Sequence, residues 1–235
     1  MKKIFAICFL MSAFAITSQA NVFTFVTPTG SSTSGGPVNA SATVMTSAGV
    51  VTVVLANNEA NPTDVAQLIS DFDFVLSNPS ATTGTLASQM GALIDVDGTG
   101  HVTSVSGLPT SWQLNNNVGG GLQLDALGGG QPMNTIIGPP GPGGVYTAAN
   151  GSIAGNGPHN PFLNEAGTFV INVTGVTAAT NVTSVIFSFG TVPGINVPGV
   201  PMQSTPEPGT VTLLGLGLLS LGFVARGKRA ASASE

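Results

Sequence analysis

From Ala40 to Ala56, apolar and polar residues alternate almost one for one: "ASATVMT", then "VVTVVLA", with Ser47-Ala48-Gly49 between them. A period of two sends successive side chains to opposite faces of an extended chain, so these segments predict a β-hairpin with one buried face. Similar short runs occur at 21–27, 72–77, 92–96, 101–106, 112–114, 122–127, 134–138, 168–175 and 183–190. In "DFDFVL" the alternation places Asp71 and Asp73 on one face and Phe72 and Phe74 on the other, and solvation of that face accounts for the acids. "NPTDVAQLIS" predicts a helical turn or two, with Thr63 or Asp64 as the cap. No sustained apolar period of 3.6 appears, and Gly and Pro punctuate the chain throughout. The pattern predicts an all-β ectodomain over residues 21–205, a single β-sandwich of jelly-roll type.

Two segments interrupt it. Residues 28–37, "PTGSSTSGGP", read as a surface loop. Residues 128–161 are dominated by Gly and Pro yet contain an apolar "TIIG" and the single Tyr146. Too little chain follows for a second β-domain, so the stretch predicts a long ordered loop pinned to the sandwich by Ile136, Ile137, Tyr146 and Phe162.

The ends obey different rules. "MKKIFAICFLMSAFAITSQA" has a basic start, an apolar run and small residues at Ser18 and Ala20. That is the layout of a signal peptide over 1–20, cleaved after Ala20. The single cysteine, Cys8, lies inside it, so the mature chain has neither disulfides nor a Cys nucleophile. At the other end Pro206-Glu207-Pro208 precedes sixteen uncharged residues, Thr210 to Ala225, then Arg226, Lys228 and Arg229. As a helix this run would extend about 24 Å, close to a bilayer's hydrocarbon thickness. The cations hold its C-terminal end on the cytoplasmic side, and the prolines keep Glu207 in extended backbone on the outer side.

This three-part tail over 206–235 resembles the PEP-CTERM sorting signal of bacterial exported proteins. The resemblance implies recognition and processing by an exosortase, a multi-span membrane enzyme, at the inner membrane. It further implies a final place at the cell surface or in an extracellular, exopolysaccharide-rich or biofilm matrix. It implies no activity for the cargo.

Charge narrows the partners. All five Lys and Arg residues lie in the two ends, and of ten acids all but Glu207 and Glu235 lie between residues 21 and 205. A surface with eight acids and no Lys or Arg cannot neutralise phosphates, which excludes nucleic acid as a partner. It also argues against docking of the folded part on anionic lipid.

Candidate chemistry is sparse. Asp95, Asp97 and Thr99 in "DVDGTGHVTSVS" have the first three oxygen spacings of a calcium loop. Ser106 stands where the bidentate Glu belongs, however, so a β-hairpin with a Gly-containing turn accounts for the segment and calcium is a weak candidate. No cofactor motif appears. His101 and His159 are the two histidines, and no G-x-S-x-G accompanies them, so a loop His159 reads as hydrogen-bonded rather than catalytic. Trp112 and Tyr146 are the aromatic candidates for stacking on a sugar, with core packing as the simpler account of a sandwich Trp. The reading that covers these features is a non-enzymatic exported surface or matrix protein. A carbohydrate-binding module acting through 128–161 is the first alternative and a hydrolase using His159 the second.

The charge map makes one direct prediction. Trypsin digestion of the unfolded chain leaves a single large fragment running to Arg226, visible by mass spectrometry. Tryptic peptides from inside 21–205 would contradict it.

Overall fold

A computed structural model describes residues 20–108, 111–128, 132–147 and 151–202. The signal peptide up to residue 19, the sorting tail 206–235 and the expected span 210–225 lie outside the described residues. Ala20 is the first residue described and is exposed.

The first half of the chain forms β1 (Asn21–Val26), β2 (Ser32–Thr33), β3 (Gly36–Pro37), β4 (Ala40–Ser47), β5 (Val50–Asn57) and β6 (Ile69–Leu76). Then come β7 (Thr85–Met90), β8 (Leu93–Val96), β9 (Val102–Val105), β10 (Gln113–Val118) and β11 (Gly121–Asp125). The remainder comprises β12 (Ile136–Ile137), β13 (Phe162–Asn164), β14 (Ala166–Asn172), β15 (Val182–Phe189), β16 (Asn196–Pro198) and β17 (Val200–Pro201). Among the described residues there is no α-helix. The described residues are all-β, in a sandwich-like arrangement of two sheets.

The smaller sheet runs β17-β1-β4-β5-β14-β7, antiparallel throughout. Its centre is the alternating hairpin: Ala40, Ala42, Val44 and Thr46 of β4 and Val51, Val53 and Leu55 of β5 are buried, and the residues between them are half-exposed. Ser47 pairs with Val50, so the turn is Ala48-Gly49, and Gly49 at φ +74° supplies the left-handed backbone a two-residue hairpin turn needs. β7 gave no period-2 signal because it is an edge strand with no buried position. Its backbone pairing with β14 holds it in place.

The larger sheet runs β10-β11-β6-β12-β13-β8-β9, with β15 and then β16 on the far side of β6. Phe72, Phe74, Leu122, Leu124, Val185 and Phe187 form its inner face and pack with Val44, Val53, Leu55, Phe169 and Ile171 in one core cluster. Phe72 lies 5.3 Å from Phe187 on the neighbouring strand, and Trp112, just before β10, lies 4.8 Å from Phe169 of the other sheet, centroid to centroid, so ring contacts tie strands and sheets together. Burying each such Phe or Leu contributes about 1.5–3 kcal/mol.

The helical signal in "NPTDVAQLIS" becomes a single 3-10 turn, Val65–Gln67, capped by Asp64. Asp64 accepts from the Ala66 N–H at 2.8 Å, and Gln67 Oε1 accepts from the Asp64 and Thr63 N–H groups at 3.1 and 2.7 Å. The expected surface loop 28–37 contains the small β2–β3 hairpin.

Residues 128–161 are more structured than a loop. The segment contains β12, which pairs in parallel with β13 directly after it, Ile136 opposite Leu163. Parallel neighbours require the intervening chain to cross back, which residues 138–161 do. Ile136, Ile137, Tyr146 and Phe162 are all buried. Ile137, Tyr146 and Phe162 join Leu68, Ile94, Val96, Ile153 and Ala154 in a second, smaller core under the crossing segment. Asn160 clamps the edge of β8, donating to the Val96 carbonyl at 3.0 Å and accepting from its N–H at 3.1 Å. The Tyr146 hydroxyl donates to the buried Gly138 carbonyl at 2.8 Å.

Tyr146→Phe therefore leaves the Gly138 carbonyl buried and unpaired. The expected cost is about 1–2 kcal/mol, read as a lower urea midpoint with the m-value unchanged. An unchanged midpoint would show that this bond does not hold the crossing segment.

Candidate functional site

The hairpin tip was the first candidate. Asp95 sits within β8 opposite Thr103, and the chain turns at 97–101 before β9. Asp97 Oδ1 accepts from the Thr99 N–H, the Thr99 hydroxyl and the His101 N–H at 2.8, 2.7 and 3.0 Å. These bonds, led by that from the Thr99 hydroxyl, hold the exposed Asp97 carboxyl below its ordinary range. Thr99 thus serves Asp97 rather than standing beside it as a third oxygen ligand. Gly100, at φ +85°, lies against the Tyr146 carbonyl so closely that a Cβ would collide with it, which explains Gly at that position. The hairpin tip is a structural seat for the crossing segment, reinforced by the Tyr146 N–H donating to the Gly100 carbonyl. Among the described residues no three His, Cys, Asp or Glu side chains gather closely enough to hold a metal ion.

The other candidates occupy scaffold positions. His159 ends a 3-10 turn, Gly157–His159, where its Nδ1 donates to the Pro132 carbonyl at 2.9 Å. Trp112 is 3% exposed and its Nε1 donates to the Asn134 carbonyl at 2.7 Å. Tyr146 is 1% exposed, and burial pushes its phenol well above the ordinary value. Neither ring presents a face to a ligand, which corrects the expectation that they could stack on a sugar.

The larger sheet's outer face carries the perturbed chemistry. Asp71 and Asp73 share a face opposite Phe72 and Phe74, as alternation requires, but Asp71 is not solvated: it is 5% exposed. It lies opposite Asp125 on β11 and opposite Ser188 on β15. Asp125 is itself buried. With no Lys or Arg in the ectodomain, two carboxyls so placed cannot both ionise cheaply. Burial pushes Asp71 up to about 8, aided by its hydrogen bond to Asp125 and the charges of Asp125 and Asp73. Burial opposes ionisation of Asp125 too. The proton on Asp71, the Leu127 N–H and the amides of Asn115 and Gln113 outweigh it and hold Asp125 below its ordinary value. At neutral pH Asp71 is therefore an acid that donates to an Asp125 carboxylate. Asp73 is raised by burial as well, against a bond from Gln123.

Around the pair lies a hollow of about 220 Å³ lined by Asp71, Gln123, Asp125, Leu127, Gly128 and Pro193. Asp71 Oδ1 and Asp73 Oδ1 are buried with no hydrogen-bond partner. Sequence reasoning did not join Asp125 to Asp71, since strand pairing brings them together and spacing does not. The alternation of "LQLD", which puts Gln123 and Asp125 opposite Leu122 and Leu124, was the available signal.

One comparison identifies a functional segment. The family model for the PEP-CTERM protein-sorting motif matches residues 204–229. That range includes Pro206, Glu207, Pro208, Arg226, Lys228 and Arg229. The chain thus carries the sorting signal of an exported protein processed by an exosortase, a membrane enzyme. No curated protein and no solved structure matches the chain.

The carboxyl pair sets a pH dependence. Unfolded, Asp71 titrates near 3.8, and folded near 8, so across that window the folded state holds a proton that the unfolded state has lost. Stability therefore falls as pH rises from about 4 towards 8 and levels above. Asp71→Asn retains the N–H bond to Asp125 without the ionisation. It should stabilise the protein at pH 8 by at least about 1 kcal/mol and flatten the slope, as measured by urea unfolding at pH 5 and 8. A wild-type protein more stable at pH 8 than at pH 5 would refute the proton-sharing pair.

Proposed function

We propose that the chain is a non-enzymatic protein of the cell surface or extracellular matrix, structural or adhesive in an exopolysaccharide or biofilm matrix. The sorting motif at residues 204–229 carries this reading. In the proposed route, the leader is removed after Ala20. The run 210–225 then holds the exported protein in the inner membrane, with Arg226, Lys228 and Arg229 inside. Glu207, between two prolines, is presented outside for the exosortase, which releases the ectodomain to the surface.

The all-β ectodomain, which we read as jelly-roll-like, supports a matrix role through its chemistry. It lacks Lys and Arg, so solubility rests on Ser, Thr and Asn side chains, which suit a hydrated polymer, and its eight acids repel polyanions. His159 is engaged with a main-chain carbonyl and the candidate aromatics are buried, which favours a structural role over a hydrolase.

Replacing Pro206, Glu207 and Pro208 by alanine preserves the apolar run and removes the recognition element. This variant is expected to accumulate uncleaved in the inner membrane, while wild type reaches the surface in cells that have the exosortase and fails to do so in cells that lack it. Equal surface levels of variant and wild type would make the tail an ordinary anchor and end the sorting reading. Deleting 206–235 should release a soluble exported domain.

A further inference from the structure

We infer that the outer face of the smaller sheet is a self-association surface, packing flat against the same face of a second copy of this chain. The inference goes beyond the surface assignment and does not rest on it, because the pairing needs only the folded domain.

Strand register lays the face out. Outward residues of β1, β4, β5, β14 and β7 line up across the sheet, one row running Val22, Met45, Thr52, Val170 and Ser88. Val22 is 59% exposed, and the three central members are half-buried. The next row passes through Thr43 and Val54 and ends on Met90, 52% exposed. No strand of this sheet carries an Asp, Glu, Lys, Arg or His. A broad face of Thr, Ser, Val and Met without charge lacks the side chains that ordinarily keep a protein surface from associating. The aromatic residues of these strands, Phe23, Phe25 and Phe169, pack with the core, so the face offers no ring for stacking on a sugar.

Charge and area select the occupant. Of the eight acids in residues 21–205, six belong to the larger sheet, its hairpin tip and the 3-10 turn. Glu59 and Glu165 stand beyond the ends of β5 and β14. Two copies of such a molecule repel wherever acids meet acids. Through the smaller sheet they meet on strands that carry no charge at all. Five strands about 4.8 Å apart, each about seven residues long at ~3.4 Å per residue, make a face of about 24 by 24 Å. Two such faces stacked about 10 Å apart bury roughly 1,200 Å² in total, which reaches the lower end of specific, stable interfaces.

Single-thiol cross-linking of the full-length protein in mild detergent tests this. Cys8 is the chain's single cysteine, so Cys8→Ser gives a background in which one introduced thiol reports contact. β5 is the middle strand of the five, so Thr52 lies close to its own copy in a face-to-face pair. Thr52→Cys is expected to give a cross-linked dimer with a short bis-maleimide, and Ser184→Cys, exposed on the larger sheet, is not. Thr43→Glu and Thr43→Lys, each added to Thr52→Cys, put like charges into the interface. Both should weaken association about tenfold or more, whatever the sign, with the near-UV circular dichroism of the buried Trp112 unchanged. Cross-linking should also rise with salt, which screens the acids. Absence of a Thr52→Cys dimer overturns the inference. So does equal cross-linking at Ser184→Cys, or undiminished cross-linking in a folded Thr43→Glu or Thr43→Lys variant. Protection of Thr52→Cys from maleimide by added dextran, with no dimer formed, would give the face to a polymer and overturn it too. Localisation in exosortase-positive cells is read separately, so loss of the dimer with intact sorting would refute this surface and leave the surface assignment standing.

Discussion

Between residues 21 and 205 this chain has no side chain with a permanent positive charge, and the interior is built around that constraint. A buried acid in most proteins is neutralised by Arg or Lys. Here acids and amides draw on main-chain groups, hydroxyls, other amides or a proton. Asn57 is buried and ties three elements together, donating to the Gln67 and Ile136 carbonyls at 2.9 Å each and accepting from the Glu59 N–H. Gln67 completes the node by donating to the Pro37 carbonyl at 2.8 Å. Asp97 is satisfied by its own turn. Asp125 takes the Leu127 N–H and two side-chain amides, and Asp71 shares its proton with it, which places a neutral acid on a sheet face.

The crossing segment 138–161 is the second organising element. It links the parallel strands β12 and β13, which insert between β6 and β8 and extend the larger sheet towards the β8–β9 hairpin. Tyr146, Ile153 and Ala154 then close a small core that the hairpin alone could not bury. Gly100 and Asn160 matter here for contact rather than chemistry: one lets the Tyr146 backbone approach, the other clamps β8. Of the residues that looked like ligand or catalytic candidates, Tyr146 and His159 are consumed in holding this segment down, Thr99 in its own turn and Trp112 in the main core. Further along the same outer face of the sheet, Asp71 and Asp73 keep buried Oδ1 atoms without a hydrogen-bond partner.

Route and cargo are encoded separately. The sorting motif occupies one short stretch of chain, residues 204–229, after the last strand of the ectodomain.

The residue pattern by itself determined the all-β class, the β4–β5 hairpin, the inward face of β6, the anchoring apolar residues of the crossing segment and the sorting tail. Each of these is a local property: period two, turn residues, or a short motif in one stretch of chain. The edge strand β7 and the three-residue β13 escaped because backbone pairing, not side-chain alternation, defines them. The tertiary structure alone decided that Asp71 and Asp125 face each other, because a sheet joins strands far apart in sequence and spacing does not record which strands become neighbours. It also decided that Trp112 and Tyr146 are core, since an aromatic residue reads the same in sequence whether its ring packs inward or meets a ligand.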